Sequence, residues 1–213
     1  MLNNAFFQEF YTSFPTSQSI IEGLYIPSII RAYDYVRTTT TKNLRELKEN
    51  DLRDELMIIF QDKYQFLGKY RKYVNVSSEQ TKVIIKKRTD LEFFVSHFGS
   101  FIVECKQFED YDLSYIKGKN KNGVYDQNGL ERFISCVYVT GEDKYAGMLG
   151  FYKNDTPAEL IANLQIKIKK YFPKTHFPNF QPEQFSHYPH SFLSYHPRED
   201  ETEITVYHCI LPI

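Results

Sequence analysis

The sequence predicts an α/β domain in which helices flank a mixed central β-sheet. Residues 89–106 hold two β-rich apolar runs around a turn that contains Gly99, which predicts a hairpin. Residues 43–66 predict a helix. The apolar run 146–152 predicts a buried central strand, and Thr156-Pro157 predicts the start of another helix.

Three further segments complete the predicted core. Residues 125–139 predict a helix, despite Gly129 within it. Residues 192–195 and 203–211 predict a closing antiparallel hairpin. Residues 1–44 predict a helical N-terminal extension that ends at a run of four threonines, since β-branched residues disfavour helix.

The central hairpin carries the clearest candidate chemistry. Side chains alternate along a strand, so Glu104 and Lys106 share one face and Cys105 faces the core. The hairpin folds Asp90 back beside Glu104, so two acids and a lysine converge at the end of a sheet. Paired carboxylates bind Mg²⁺ through oxygen. A metal there polarises a phosphoryl group and helps to form hydroxide, while a lysine stabilises developing negative charge.

The helix predicted over 43–66 offers a further acid. Asn50 or Asp51 is the predicted N-cap. Glu55 falls on the apolar stripe of this helix, where a carboxylate is costly unless it meets a cation or a metal. The stripe consists of Leu52, Leu56, Ile59 and Phe60. A solvated acid at the helix start is the alternative interpretation of Glu55.

The hairpin residues resemble the motif of the PD-(D/E)xK nuclease superfamily, which has the restriction-endonuclease-like fold. Asp90 matches the first acid of that motif, Glu104 the second and Lys106 the lysine. Thr89 stands where the motif often has proline. The alternative is a hairpin whose exposed end carries solvated charges.

One branch of the superfamily, with the motif Glu-Cys-Lys, is similar over about residues 45–213. The segment 49–54 looks like its acidic Leu-Arg-Asp helix start, and 87–90 looks like its Gly-Lys-Thr-Asp strand. The glycine of that strand is absent here, and the aromatic residue that often follows Glu-Cys-Lys is shifted to Phe108. The segment 126–130 resembles the Asp-Gln-Leu helix of the branch.

The resemblance implies a restriction-endonuclease-like core over 45–213 and further site residues. A helix before the hairpin delivers an additional metal ligand in this fold, and either Glu55 or Asp54 fits that role. Gln127 is implied to face the catalytic lysine and to hold a phosphate or a water molecule. An exposed helix-cap glutamine is the alternative for Gln127.

Candidate nucleic-acid contacts are local, because the net charge of the chain is only −1. Lys87 and Arg88 lead into the hairpin, and Lys117, Lys119 and Lys121 lie in a polar, glycine-containing segment. Solvated loop and strand-end charges explain the same residues equally well.

Other functional classes lack support. The three cysteines show no CxxC spacing, which favours reduced thiols in the cytoplasm over a disulfide scaffold or a zinc site. Neither a signal peptide nor a membrane-spanning segment is expected. There is no phosphate-binding glycine motif of the P-loop or dinucleotide type.

The sequence therefore predicts a Mg²⁺- or Mn²⁺-dependent nuclease that hydrolyses phosphodiester bonds of nucleic acid, with DNA preferred over RNA. Restriction, repair and defence are all compatible roles, and a homodimer or a subunit of a larger complex stays open. The alternative is a catalytically silent protein of the same fold that acts as a nucleic-acid-binding or assembly module.

Overall fold

The computed structural model describes residues 4–62, 67–78, 81–82, 87–108, 113–121, 124–138, 143–153, 157–178, 188 and 190–213. It describes the side chains of these residues except those of 4–7, 61–62, 81–82, 87–88, 120–121, 124–126 and 157. No helix within these ranges is both long enough and apolar enough to cross a membrane.

The strands form one large sheet and two small hairpins. In chain order they are β1 (Asn75–Ser78), β2 (Thr81–Lys82), β3 (Lys87–Arg88), β4 (Leu91–Val95), β5 (Gly99–Phe108), β6 (Lys119–Lys121), β7 (Val124–Asp126), β8 (Tyr145–Tyr152), β9 (Ser191–Pro197) and β10 (Glu203–Pro212). The large sheet has the order β1-β4-β5-β8-β10-β9. The pairs β5/β8 and β8/β10 are parallel, and the other three pairs are antiparallel. The predicted mixed sheet is confirmed, as are both of its hairpins and its central strand.

The α-helices are α1 (Asn4–Ser13), α2 (Ser17–Ile20), α3 (Ile26–Thr39), α4 (Glu49–Asp62), α5 (Glu131–Ile134) and α6 (Pro157–Tyr171). A π-helical turn, Ile21–Tyr25, joins α2 to α3. The helix predicted over 43–66 begins later than expected: residues 44–46 form a separate 3-10 turn, and the α-helix is α4, Glu49–Asp62. Residues 63–66 of that prediction lie outside the described part of the chain. Helix α6 begins at the predicted proline.

Two hydrophobic cores cover the two faces of the sheet, and β5 divides its side chains between them. Val103 and Cys105 pack in the first core with side chains from α1, α3 and α4. Ile102 and Phe108 pack in the second core with α5 and α6. Because side chains alternate along a strand, Glu104 and Lys106 fall on the face of the second core.

The N-terminal helices are part of the first core. The ring of Tyr25 stacks on the ring of Phe93 in β4, with 4.9 Å between centroids. The hydroxyl of Tyr33 donates to the carbonyl of Pro212, and Arg45 Nε donates to the carbonyl of Ile213 at 2.8 Å. Residues 4–13 and 17–39 are helical, and they pack on the same sheet that carries the hairpin.

The predicted helix over 125–139 is wrong. The chain instead completes β7 at Asp126, turns, and forms the single helical turn α5. Gly129 has φ of 55°, and a Cβ atom there would lie 2.3 Å from the carbonyl oxygen of Tyr115. Leu130 N donates to the same oxygen at 3.0 Å. The close backbone approach requires glycine, and it fixes the position of α5.

Five buried side chains form a hydrogen-bonded chain through the second core. Thr175 Oγ1 lies 2.8 Å from His196 Nδ1, and His196 Nε2 lies 2.6 Å from Ser194 Oγ. Ser194 Oγ is also 2.7 Å from His208 Nε2, and His208 Nδ1 is 3.0 Å from the hydroxyl of Tyr115. Burial lowers the pKa of His196 to about 3 and that of His208 well below its usual value. Both rings are therefore neutral in the folded protein at neutral pH.

Replacing Ile29 by alanine tests whether the N-terminal helices belong to the cooperative unit. Ile29 lies in α3 and is fully buried. We expect Ile29→Ala to lower the free energy of unfolding by about 2–5 kcal/mol in one urea transition, because the change leaves a core cavity. The exposed Ile166 provides the control, and Ile166→Ala should change that energy by about 0.5 kcal/mol or less. A separate early transition would show that these helices unfold independently.

Acid should destabilise the fold through His196. The unfolded imidazole binds a proton below pH ~6.5, whereas the folded one stays neutral until about pH 3. The free energy of unfolding therefore falls by about 1.4 kcal/mol per pH unit for this residue as pH drops through that interval. His196→Gln should give a shallower pH profile in urea denaturation. Parallel profiles for the two proteins would contradict the assignment.

Candidate active site at the end of the central hairpin

The candidate site lies where β5 extends beyond β4. The two strands pair from Val95 opposite Gly99 to Leu91 opposite Val103. Beyond Val103, β5 continues to Phe108 with β8 on one side only. The other edge of this segment has no strand partner within the described residues, so its backbone N–H groups need other acceptors.

Two carboxylates accept hydrogen bonds from that edge. Asp90 Oδ2 accepts from the backbone N–H of Cys105 at 2.7 Å. Glu49 Oε2 accepts from the backbone N–H of Gln107 at 2.9 Å. Asp90 directly precedes β4, and Glu49 is the first residue of α4. The strand edge thus fixes an acid from each of two neighbouring elements.

Glu104 and Lys106 form the centre of the cluster. Glu104 is fully buried, and its Oε1 lies 2.9 Å from the ammonium of Lys106. That ammonium also lies 3.1 Å from Glu49 Oε1 and donates to the carbonyl of Cys105 at 2.7 Å. Lys106 therefore links the helix acid to the strand acid.

Arg132 of α5 supplies a second cation to Glu104. Its Nη1 lies 2.9 Å from Glu104 Oε1 and 3.2 Å from Oε2. Its Nε donates to the backbone carbonyl of Gln127 at 2.9 Å, and its guanidinium lies over the ring of Tyr138. Both oxygens of Glu104 are thus hydrogen-bonded to cationic donors.

The electrostatic environment raises the pKa of both Asp90 and Lys106. Burial, together with the nearby Glu104 charge, raises the pKa of Asp90 to about 7. Burial alone would lower the pKa of Lys106, but Glu104, Glu49 and Asp90 together raise it above its usual value. The three acids therefore favour the protonated, cationic form of Lys106.

Arg53 connects the site to the outer face of α4. Its Nη1 lies 3.6 Å from Asp90 Oδ1, and its Nε and Nη2 both donate to Asp54 Oδ1, at 2.9 and 2.8 Å. The Asp54 side chain is 56% exposed. Asp54 thus reaches Asp90 only through the guanidinium of Arg53.

The structure brings together Asp90, Glu104 and Lys106, as expected, but neither of the two predicted helix acids joins them directly. Glu55 forms an ion pair with Lys42, away from the hairpin. Glu49 is instead the acid of α4 that contacts the cluster, through Lys106 and the backbone N–H of Gln107. Helix α4 begins at Glu49, ahead of the predicted N-caps Asn50 and Asp51, so Glu49 lies in its first turn and reaches the β5 edge. The similarity of 49–54 to an acidic helix start was the signal that could have identified Glu49.

Gln127 contributes through its backbone carbonyl, which accepts from Arg132; the predicted contact of its side chain with Lys106 is not observed. Lys117 places its ammonium 4.8 Å from the ring centre of Tyr171. Lys119 is exposed on β6. The side chains of Lys87, Arg88 and Lys121 lie outside the described residues, so their predicted nucleic-acid contacts stay predictions.

The donor chemistry of the cluster suits a hard cation, because all three acidic side chains offer carboxylate oxygens. Within the described part of the chain, however, no three His, Cys, Asp or Glu side chains are arranged to hold a metal ion. The carboxylates of Glu49 and Glu104 face Lys106 and Arg132 instead.

Comparison with protein-family models, with curated proteins and with solved structures finds no match for this chain. The residues of the cluster are therefore the basis for a functional assignment.

Removing the charge of Glu104 should destabilise the protein. Glu104→Gln would leave Arg132 and Lys106 buried near each other without their shared counter-ion, so we expect a loss of about 3–5 kcal/mol in the free energy of unfolding. The matched change Glu55→Gln breaks a more exposed pair and should cost about 1 kcal/mol or less. Urea denaturation at pH 7 measures both. Equal effects would mean that the central ion pairs are not coupled to folding.

Proposed function

We propose that this protein is a metal-dependent nuclease of the PD-(D/E)xK type, with a restriction-endonuclease-like core and DNA as its substrate. One observation carries the proposal. An acid preceding β4, a Glu-x-Lys pair on β5 and an acid from α4 meet at the point where β5 extends past its neighbour.

The proposal assigns Asp90 and Glu104 to an Mg²⁺ or Mn²⁺ ion, with Glu49 as the additional helix acid. These residues offer the oxygen donors that such ions prefer. The bound ion would supply polarisation of a phosphoryl oxygen and a more acidic water molecule. The protein's contribution is to hold these acids at fixed positions along the β5 edge.

Lys106 would act as an electrostatic group. Its ammonium is held by Glu104, by Glu49 and by the carbonyl of Cys105. Because it remains protonated, it can donate hydrogen bonds to a water molecule or to a phosphate oxygen. A preorganised cation in a site with little water stabilises the negative charge that develops during phosphodiester hydrolysis.

A second candidate is a protein of this fold that binds nucleic acid or assembles with partners without cleaving. The ion pairs around Glu104 favour this alternative. Lys106 and Arg132 already neutralise its carboxylate, and a neutralised acid is a poorer ligand for a metal ion.

Plasmid cleavage distinguishes the two candidates. We expect the purified protein to nick or degrade supercoiled DNA with Mg²⁺ or Mn²⁺ and to be inactive with EDTA. Asp90→Asn should abolish the cleavage, and Lys106→Met should lower its rate roughly 10²–10³-fold, the usual effect of removing one preorganised electrostatic group. Absence of cleavage by the wild type with either metal would favour the non-catalytic alternative. Metal-independent cleavage, or full activity of Asp90→Asn, would contradict the assignment of the metal site.

Glu49 and Glu55 provide a matched pair on one helix. Glu49→Gln should reduce cleavage strongly because its carboxylate bonds both Lys106 and the β5 edge. Glu55→Gln should cleave at the wild-type rate, since Glu55 pairs with Lys42. If Glu55→Gln reduced cleavage and Glu49→Gln did not, Glu55 would be the acid of α4 that acts in the site, as the sequence first indicated.

A further inference from the structure

Glu104 has two cationic partners, and Arg132 is the one that contacts both of its oxygens. The Nη1 of Arg132 lies 2.9 and 3.2 Å from the two carboxylate oxygens, whereas Lys106 contacts Oε1. Glu104 is fully buried, so these cations take the place of solvent around the carboxylate. A metal ion that binds Glu104 must use the same oxygens.

Several contacts hold Arg132 in this position. Its Nε donates to the carbonyl of Gln127, and its Nη1 hydrogen-bonds the hydroxyl of Tyr138. The guanidinium carbon lies 4.9 Å from the centre of the Tyr138 ring. The preceding turn is fixed by the contact of Gly129 with the backbone of Tyr115. These contacts hold the Arg132 side chain beside Glu104.

The carboxylate of Glu104 is paired before any divalent ion is added. It contacts both Lys106 and Arg132, and Lys106 also pairs with Glu49. A divalent ion bound next to Arg132 would meet a fixed positive charge on the oxygens that it needs. Binding at Glu104 consequently competes with Arg132.

We propose that Arg132 is a competing counter-ion of Glu104 that sets the affinity of the site for divalent cations. This positioning role rests on the proposed function, since it assumes a metal at Glu104. The guanidinium must release at least one carboxylate oxygen before the cation binds there. The arginine then lowers the affinity of the site for divalent cations, and its removal raises that affinity.

Calorimetric Mn²⁺ titration of three proteins tests the inference. We expect the wild type to bind most weakly, Arg132→Lys more tightly and Arg132→Gln most tightly. Lysine keeps the charge but lacks the planar fork. The tightening for glutamine should be roughly 10–100-fold, because the cation no longer meets a fixed positive charge on the oxygens that it needs. A merely structural role would predict the reverse, because a disturbed site binds metal less well.

Arg198→Gln is the matched control. Arg198 is also a buried arginine, and it bonds Thr202 near the β9–β10 turn. Its loss should leave Mn²⁺ affinity unchanged. Circular dichroism confirms folding of each variant, and if Arg132→Gln does not fold, the order of wild type and Arg132→Lys decides.

The outcomes separate this inference from the proposed function. Metal-dependent cleavage by the wild type with unchanged or weaker Mn²⁺ binding in the Arg132 variants overturns the inference alone. Tighter binding by the variants without any cleavage supports the inference and overturns the nuclease. Absence of Mn²⁺ binding in all proteins, together with absence of cleavage, overturns both.

Discussion

The candidate site depends on a difference in length between two paired strands. The pairing of β4 with β5 ends at Leu91, the first residue of β4, opposite Val103, while β5 continues to Phe108. Buried backbone N–H groups require acceptors, and the carboxylates of Asp90 and Glu49 provide them along the extended edge. The same acids that satisfy the backbone are thereby held beside Glu104. A β4 strand two residues longer would occupy the space in which the cluster forms.

Charge balance explains how so many ionised groups persist with little access to water. An isolated buried charge is costly, but each acid in the cluster has a cationic neighbour and each central cation has at least two oxygen acceptors. The ion pairs also join different elements: Lys106 of β5 pairs with Glu49 of α4, and Glu104 of β5 pairs with Arg132 of α5. The electrostatic network therefore ties the two helices to opposite sides of one strand.

The local parts of this arrangement were predictable from sequence, and the long-range parts were not. Alternation along β5 correctly placed Glu104 with Lys106 and sent Cys105 into the core, where burial raises the pKa of its thiol. Helical periodicity fixed the buried stripe of α4 but not its first residue, so Glu49 was missed. Arg132 was missed because a helix was predicted across Gly129, whose left-handed conformation depends on the distant backbone of Tyr115.

The hydrogen bonds that link Thr175 to Tyr115 in the second core can run in either of two donor-to-acceptor directions. Ser194 has one hydroxyl proton and faces the Nε2 atoms of both His196 and His208. If that proton is used within the chain, one ring must carry its own proton on Nε2 and the other on Nδ1, so the two histidines are opposite tautomers. Tyr115 then donates when Thr175 accepts, and accepts when Thr175 donates. A reversal at the Thr175 end therefore reaches the hydroxyl of Tyr115 through the movement of protons alone.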